Sequence, residues 1–174
     1  MLRLDDTYSM DFLGELYRCA HAYVSPYQSE GFNMPVLESL ASGTPVIVSK
    51  GGSTDDFTKS TFARYVKAAV VTRYESGADE FVDLAAGDTD GLKNLPAKSK
   101  PVRRGLRVDA QSLYDQMDFV VKDIYESKSK WLRSASRKAA AFAKSRYLWS
   151  NATDALIRSM MDKGPDKFSH LGEL

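Results

Sequence analysis

The amino-acid sequence predicts an α/β domain, and three observations carry the prediction. Residues 23–49 read as a short apolar strand, a glycine-containing loop, a helix opened by Pro35 and closed by Gly43, and a second apolar run from Val46 to Val48. Phe62 to Val71 is apolar again, with β-branched residues at its end, as expected of a strand on the same sheet. Two later segments, about 109–124 and 130–146, repeat apolar residues at helical spacing.

The elements follow in order. Met1 to Asp6 is short and polar; Thr7 and Ser9 are candidate N-caps of a helix whose Leu13, Leu16, Tyr17 and Ala20 share one face, with Cys19 expected to pack on it. Tyr23 and Val24 form a brief strand before Pro26. Pro35 suits the first helical turn, because its fixed φ is pre-organised and its missing N–H would be an orphan there. The free N–H groups of that helix start, with those of Gly31 to Met34 before it, favour an anion. Glu30 and Glu38 bracket the turn, and carboxylates accept hydrogen bonds from sugar hydroxyls. Phosphates and hydroxyls together describe a nucleotide-sugar.

Lys50-Gly51-Gly52-Ser53 is a flexible turn at the carboxyl end of a predicted parallel strand, where open α/β sheets commonly bind ligands. Asp55 and Asp56 are candidate caps of the next helix; adjacent aspartates diverge and nothing completes a metal set around them. From Glu75 to Asp90 the chain is acidic and from Lys93 to Arg107 basic, broken by Pro96, Pro101 and Gly105. This reads as a surface excursion whose halves pair in solvent, in preference to a phosphate or nucleic-acid surface, since no aromatic residues interleave the cations. Asp109 caps a helix with a core stripe of Leu113, Met117, Val120, Val121 and Ile124. The next helix sets Trp131, Ala135, Ala139, Phe142 and Ala143 against a solvated basic face. Asn151 to Met161 reads as a last helix ended by Gly164 and Pro165.

Composition excludes several classes. At 174 residues and 43% hydrophobic the chain makes one globular domain, and a net charge of +1 argues for no polyanionic partner. A single cysteine excludes an internal disulfide framework, no window approaches a membrane span, and the N-terminus lacks a signal-peptide core. His21 and His170 lie far apart without a nucleophile partner, so a Ser/His/Asp or Cys/His mechanism has no support. The expectation is a soluble, cytoplasmic protein, with peripheral membrane contact left open.

The run E-G-F-N-M-P-V-L-E, followed by S-L-A-S-G-T-P-V-I-V-S-K-G-G, resembles the signature of retaining glycosyltransferases of family 4 with the GT-B fold. That signature has two glutamates separated by seven residues in the C-terminal nucleotide-sugar domain. L-Y-R-C-A-H-A-Y-V-S-P, from Leu16, resembles the helix and strand before the motif, and S-R-Y-L-W, from Ser145, the family's aromatic C-terminal signature. The resemblance implies a partial Rossmann-like three-layer domain over residues 1–161, lacking its first strands, with a variable charged segment at about 75–106 and a tail at 162–174. It places Glu30 at the transferred sugar as the catalytic residue and Glu38 at the ribose hydroxyls. Gly31, Phe32, Asn33 and Met34 would line the sugar and phosphates, with Asn33 where many members have a second glycine, and Gly51 and Gly52 match the family's Gly-Gly loop.

The implied reaction transfers a sugar from a nucleotide-sugar with retention, with no obligatory metal and no cofactor besides the donor substrate. Arg3 is the only basic residue before Arg18, so the basic pair with which the family grips the donor's phosphates has no counterpart, and the resemblance covers the latter part of one of two domains. The expectation is weak activity at best for the isolated chain, and a partner chain or homodimer covering the truncated sheet. The alternative expectation is a non-catalytic remnant or nucleotide-binding module.

Overall fold

The computed structural model describes residues 7–77 and 80–162. Three short strands, β1 (Tyr23–Ser25), β2 (Val46–Ser49) and β3 (Ala63–Val66), form a parallel sheet in the order β1-β2-β3. All four residues of the central β2 are buried, as a strand covered on both faces requires. Val46 and Val48 pack with Val36 and Leu40 of α2 (Met34–Ala41) and with Ala135 and Ala139 of α5 (Lys130–Arg146). Ile47 packs instead with Val66, Val120 of α4 (Ala110–Tyr125) and Leu132. The alternation along β2 thus divides the core into two faces, and the result is a Rossmann-like α/β/α arrangement.

The first helix, α1 (Met10–Cys19), starts from Ser9, whose Oγ accepts from the Phe12 N–H at 3.2 Å; Thr7 is not its cap. No residue of α1 is buried, Leu16 is exposed, and Cys19, expected to pack, is exposed as well. The helix touches the domain through Tyr17, which meets Tyr23 edge-on.

Phe62 to Val71 does not run as one strand. Lys67 breaks it: its N–H donates to Ser112 Oγ and its carbonyl accepts from the Asp109 N–H, both at 2.9 Å. With both backbone groups held by the start of α4, the chain leaves the parallel sheet and enters β4 (Ala68–Gly77).

The segment read as a surface excursion is a second sheet. β5 (Glu80–Ala85), β4 and β6 (Lys100–Val108) pair antiparallel in the order β5-β4-β6, with the one-turn helix α3 (Thr89–Lys93) between β5 and β6. Long cations on β6 hide the alternation that ends in buried Leu106. Pro101, which looked like a strand breaker, sits where the ladder shifts register between Arg73 and Tyr74, a position that dispenses with an N–H. The acidic β5 and the basic β6 are separated by β4, and Asp83 pairs with Arg73 of that middle strand instead: Arg73 Nε donates to Asp83 Oδ1 at 2.6 Å and Nη2 to Oδ2 at 2.7 Å.

α4 is capped by Asp109, whose carboxylate accepts from the Ser112 N–H at 2.7 Å. Its buried stripe is rotated from the expected one. Leu113, Phe119, Val120 and Ile124 face the core, while Met117 and Val121 point outward at 45% and 48% exposure. The rotation brings Gln116 to accept from Arg64 Nε at 2.9 Å and places Asp123 against α5. α5 spans the expected residues, with Leu132, Ala135, Ala139 and Ala143 buried. α6 (Trp149–Asp162) starts two residues before the expected Asn151, and Gly164, Pro165 and the tail lie outside the described residues.

Candidate functional site

The loop leaving β1 is shaped by polar bonds to the strand ends. Ser49 Oγ donates to the Tyr27 carbonyl at 2.9 Å, and Asn33 Nδ2 donates to Ser25 Oγ at 3.0 Å. Asn33 is buried and left-handed, with φ 67, a conformation that asparagine adopts more readily than most residues. Because its side chain turns back to Ser25, no side chain caps α2 behind it, and Pro35 stands in the first turn. Pro35 has no N–H and the Val36 N–H donates to the Asn33 carbonyl at 3.0 Å, so the Met34 N–H is the donor that the start of α2 offers to an anion. Phe32 stacks on Phe57 with centroids 4.7 Å apart, Gly31 has open space where a Cβ would be, and Met34 is exposed. Phe57 also meets Tyr147, from the aromatic stretch near the end of α5, edge-on.

Glu38, half-buried one turn into α2, accepts from the Tyr17 hydroxyl at 3.1 Å. Burial, and then the Glu38 charge and hydrogen bond, push the Tyr17 phenol far above its ordinary range. Tyr23 is raised too, by burial first and then by the charges of Glu38 and Glu30, so its phenol lies in the field of both carboxylates.

The Gly-Gly loop has a structural reason for each glycine. Gly51 has φ +88 and its N–H donates to Asp55 Oδ2 at 3.1 Å. A Cβ on Gly52 would come within 2.7 Å of Tyr27 Cε2, and Tyr27 is fixed there because its hydroxyl accepts from the Thr54 N–H. Asp55 and Asp56 cap no following helix. They lie within the 3-10 turn Ser53–Asp56, and Asp55 closes back on Gly51 and on Lys50 Nζ at 3.0 Å.

At the carboxyl end of β1 and β2 these loops open on a cleft of about 200 Å³, lined on one side by Tyr27, Glu30, Gly51, Gly52 and Ser53. Its other side is the second sheet, through Val70 of β4 and Arg104, Gly105 and Leu106 of β6. Glu30, Gly51 and Gly52 are brought together here. Glu38 lies outside the lining, with Tyr17. Arg104 was missed in the sequence because its segment read as a solvated loop; the apolar residues Val102, Leu106 and Val108 at even spacing from it were the available signal. A larger cleft, about 450 Å³, opens at the other end of the strands beside His21, Thr44 and Arg133; Ser42 to Pro45 of the resembled run line it, but none of Glu30, Glu38, Gly51 and Gly52 does. Among the described residues no group of three or more His, Cys, Asp or Glu could hold a metal ion, and no helix is long and apolar enough to cross a membrane.

Residues 7–84 match the family model described as Glycosyl transferases group 1. A stretch of 66 residues, 38% of this chain, is 36% identical to the "Uncharacterized glycosyltransferase 335" of Sulfolobus islandicus rod-shaped virus 1. That stretch spans 20% of the viral protein's length.

Proposed function

We propose that the chain carries the nucleotide-sugar donor site of a retaining glycosyltransferase similar to family 4. The observation that carries this reading is the sharing of one cleft by Glu30 and the Gly51-Gly52 loop at the carboxyl end of the parallel strands. Ligands of open α/β sheets bind at that end, and the match to Glycosyl transferases group 1 covers the whole of the parallel sheet. In this reading Glu30 accepts hydrogen bonds from the transferred sugar, and Glu38, oriented by Tyr17, accepts from the ribose hydroxyls. The sugar's C1–O bond to the diphosphate breaks and a C1–O bond to an acceptor hydroxyl forms on the same face, the acceptor's proton passing to the departing phosphate. The positive end of the α2 dipole and the Met34 N–H stabilise the charge that develops on the leaving group.

Calorimetric titration with a panel of nucleoside diphosphates and nucleotide-sugars tests this. Saturable binding is expected, weakened roughly tenfold by Glu38→Ala, the worth of a hydrogen bond to a charged acceptor. A folded chain that binds no member of the panel refutes the donor site. Binding without transfer to any acceptor assigns the chain to the nucleotide-binding modules instead.

A further inference from the structure

We infer that Arg104 of β6 is the cation that holds the ligand's phosphates, so that the antiparallel sheet forms a wall of the donor site. This rests on the donor reading above and extends it to a residue outside the motif and outside the matched residues 7–84.

Strand alternation separates Arg104 from the other arginines of β6. Arg103 and Arg107 lie on the face turned to Asp83 and, behind Arg73, help to hold its carboxyl below the usual range. Arg104 points the other way, with Val70 and Leu106, into the cleft that contains Glu30 and Gly51. Among the described residues it makes no ion pair or hydrogen bond, whereas Lys50, the cation nearest the Gly-Gly loop, is neutralised by Asp55. An unpaired guanidinium facing a recess has the planar donor set that phosphate oxygens match.

Two further observations place a polar ligand there. Ser53 lines the same cleft, and its Oγ is buried without a hydrogen-bond partner among the described residues. The wall itself is held in place: the Leu106 N–H donates to the Gln28 carbonyl at 2.6 Å, and a Cβ on Gly105 would come within 3.0 Å of that oxygen. Arg104 is thus fixed in register with the loop bearing Glu30. A cation, a free hydroxyl and a carboxylate around one recess suit a phosphorylated sugar, with Val70 and Leu106 as an apolar surface beneath it.

The test titrates the chain with pyrophosphate and, separately, with UDP, GDP and ADP, following backbone amide NMR shifts of Gly51 and Gly105. Arg104→Gln is compared with Arg107→Gln, which removes the same charge from the opposite face. Arg104→Gln is expected to weaken pyrophosphate and one nucleoside diphosphate about tenfold or more, and Arg107→Gln by less than about twofold. Equal effects of the two substitutions, or no pyrophosphate binding at millimolar concentration, overturn the inference. Binding of a nucleotide-sugar that depends on Glu38 but not on Arg104 overturns it while leaving the donor reading intact. Pyrophosphate held by Arg104 with no nucleotide bound does the reverse: the anion site stands and the donor reading falls. Arg104 is exposed, so the variant should melt like the parent, and thermal melting checks this.

Discussion

The backbone N–H of Leu106 meets the carbonyl of Gln28 at 2.6 Å, and this bond joins the antiparallel sheet to the loop that carries Glu30. The two are 78 residues apart in the chain, yet they set the width of the candidate site. Close approach at this point requires glycine next door.

Gly105→Val should therefore destabilise the chain by about 1–3 kcal/mol, the usual range for overpacking, with Gly105→Ala less severe. A Cβ there meets backbone, the Gln28 oxygen at 3.0 Å, which cannot swing aside as a side-chain end would. Urea denaturation measures the loss. An unchanged midpoint for Gly105→Val would show that β6 and the loop bearing Glu30 are not in close contact.

Asp123 gives a second, unrelated prediction. Its buried carboxylate accepts from the Trp131 N–H at 3.0 Å and from the Leu132 N–H at 2.9 Å, capping α5 from the neighbouring helix. Ser129, at the N-cap position, makes no side-chain cap bond of its own. Asp123→Ala orphans one buried and one part-buried donor and should cost about 2–4 kcal/mol. Asp123→Asn keeps one acceptor and should fall between. Both are read from denaturation midpoints.

Asn33 separates backbone conformation from hydrogen bonding. Asn33→Gly keeps the positive φ accessible and loses only the bond to Ser25, whereas Asn33→Ala loses the bond and carries left-handed strain. Alanine should be less stable than glycine by about 1 kcal/mol, and both less stable than the parent. An alanine variant equal to the glycine variant would contradict this.

The Tyr17–Glu38 contact predicts alkaline sensitivity. The folded phenol is raised above its ordinary value of 10.0, so the stability it contributes is full below about pH 10. Above that pH the unfolded chain releases a proton that the folded chain retains, and stability falls until the folded phenol ionises too. Tyr17→Phe should flatten this decline without abolishing it, since Tyr23 is raised in the same direction. Denaturation midpoints between about pH 8 and 11 measure the slope, and identical slopes would remove Tyr17 from the account.

Much of this protein is written locally. Pro35, Gly43 and the apolar run from Val46 set the strand–loop–helix–strand unit within a residue or two, and α5 matches its periodicity over its full length. Such features depend on contacts a few residues apart and on the φ that proline and glycine allow, so order along the chain is enough to find them. The motif's cluster of Glu30 with Gly51 and Gly52 follows from the same unit, because both loops leave the same end of adjacent parallel strands.

Tertiary structure decided the rest. The segment at 75–106 became a sheet because β4 and β6 satisfy each other's backbone groups, an energy absent from either strand alone and masked by charged side chains on the solvent face. The rotation of α4, the remote cap by Asp123 and the pairing of Glu38 with Tyr17 likewise depend on partners brought together only by packing. The side of β6 on which Arg104 lies was settled by register, since shifting a strand by one residue exchanges its two faces.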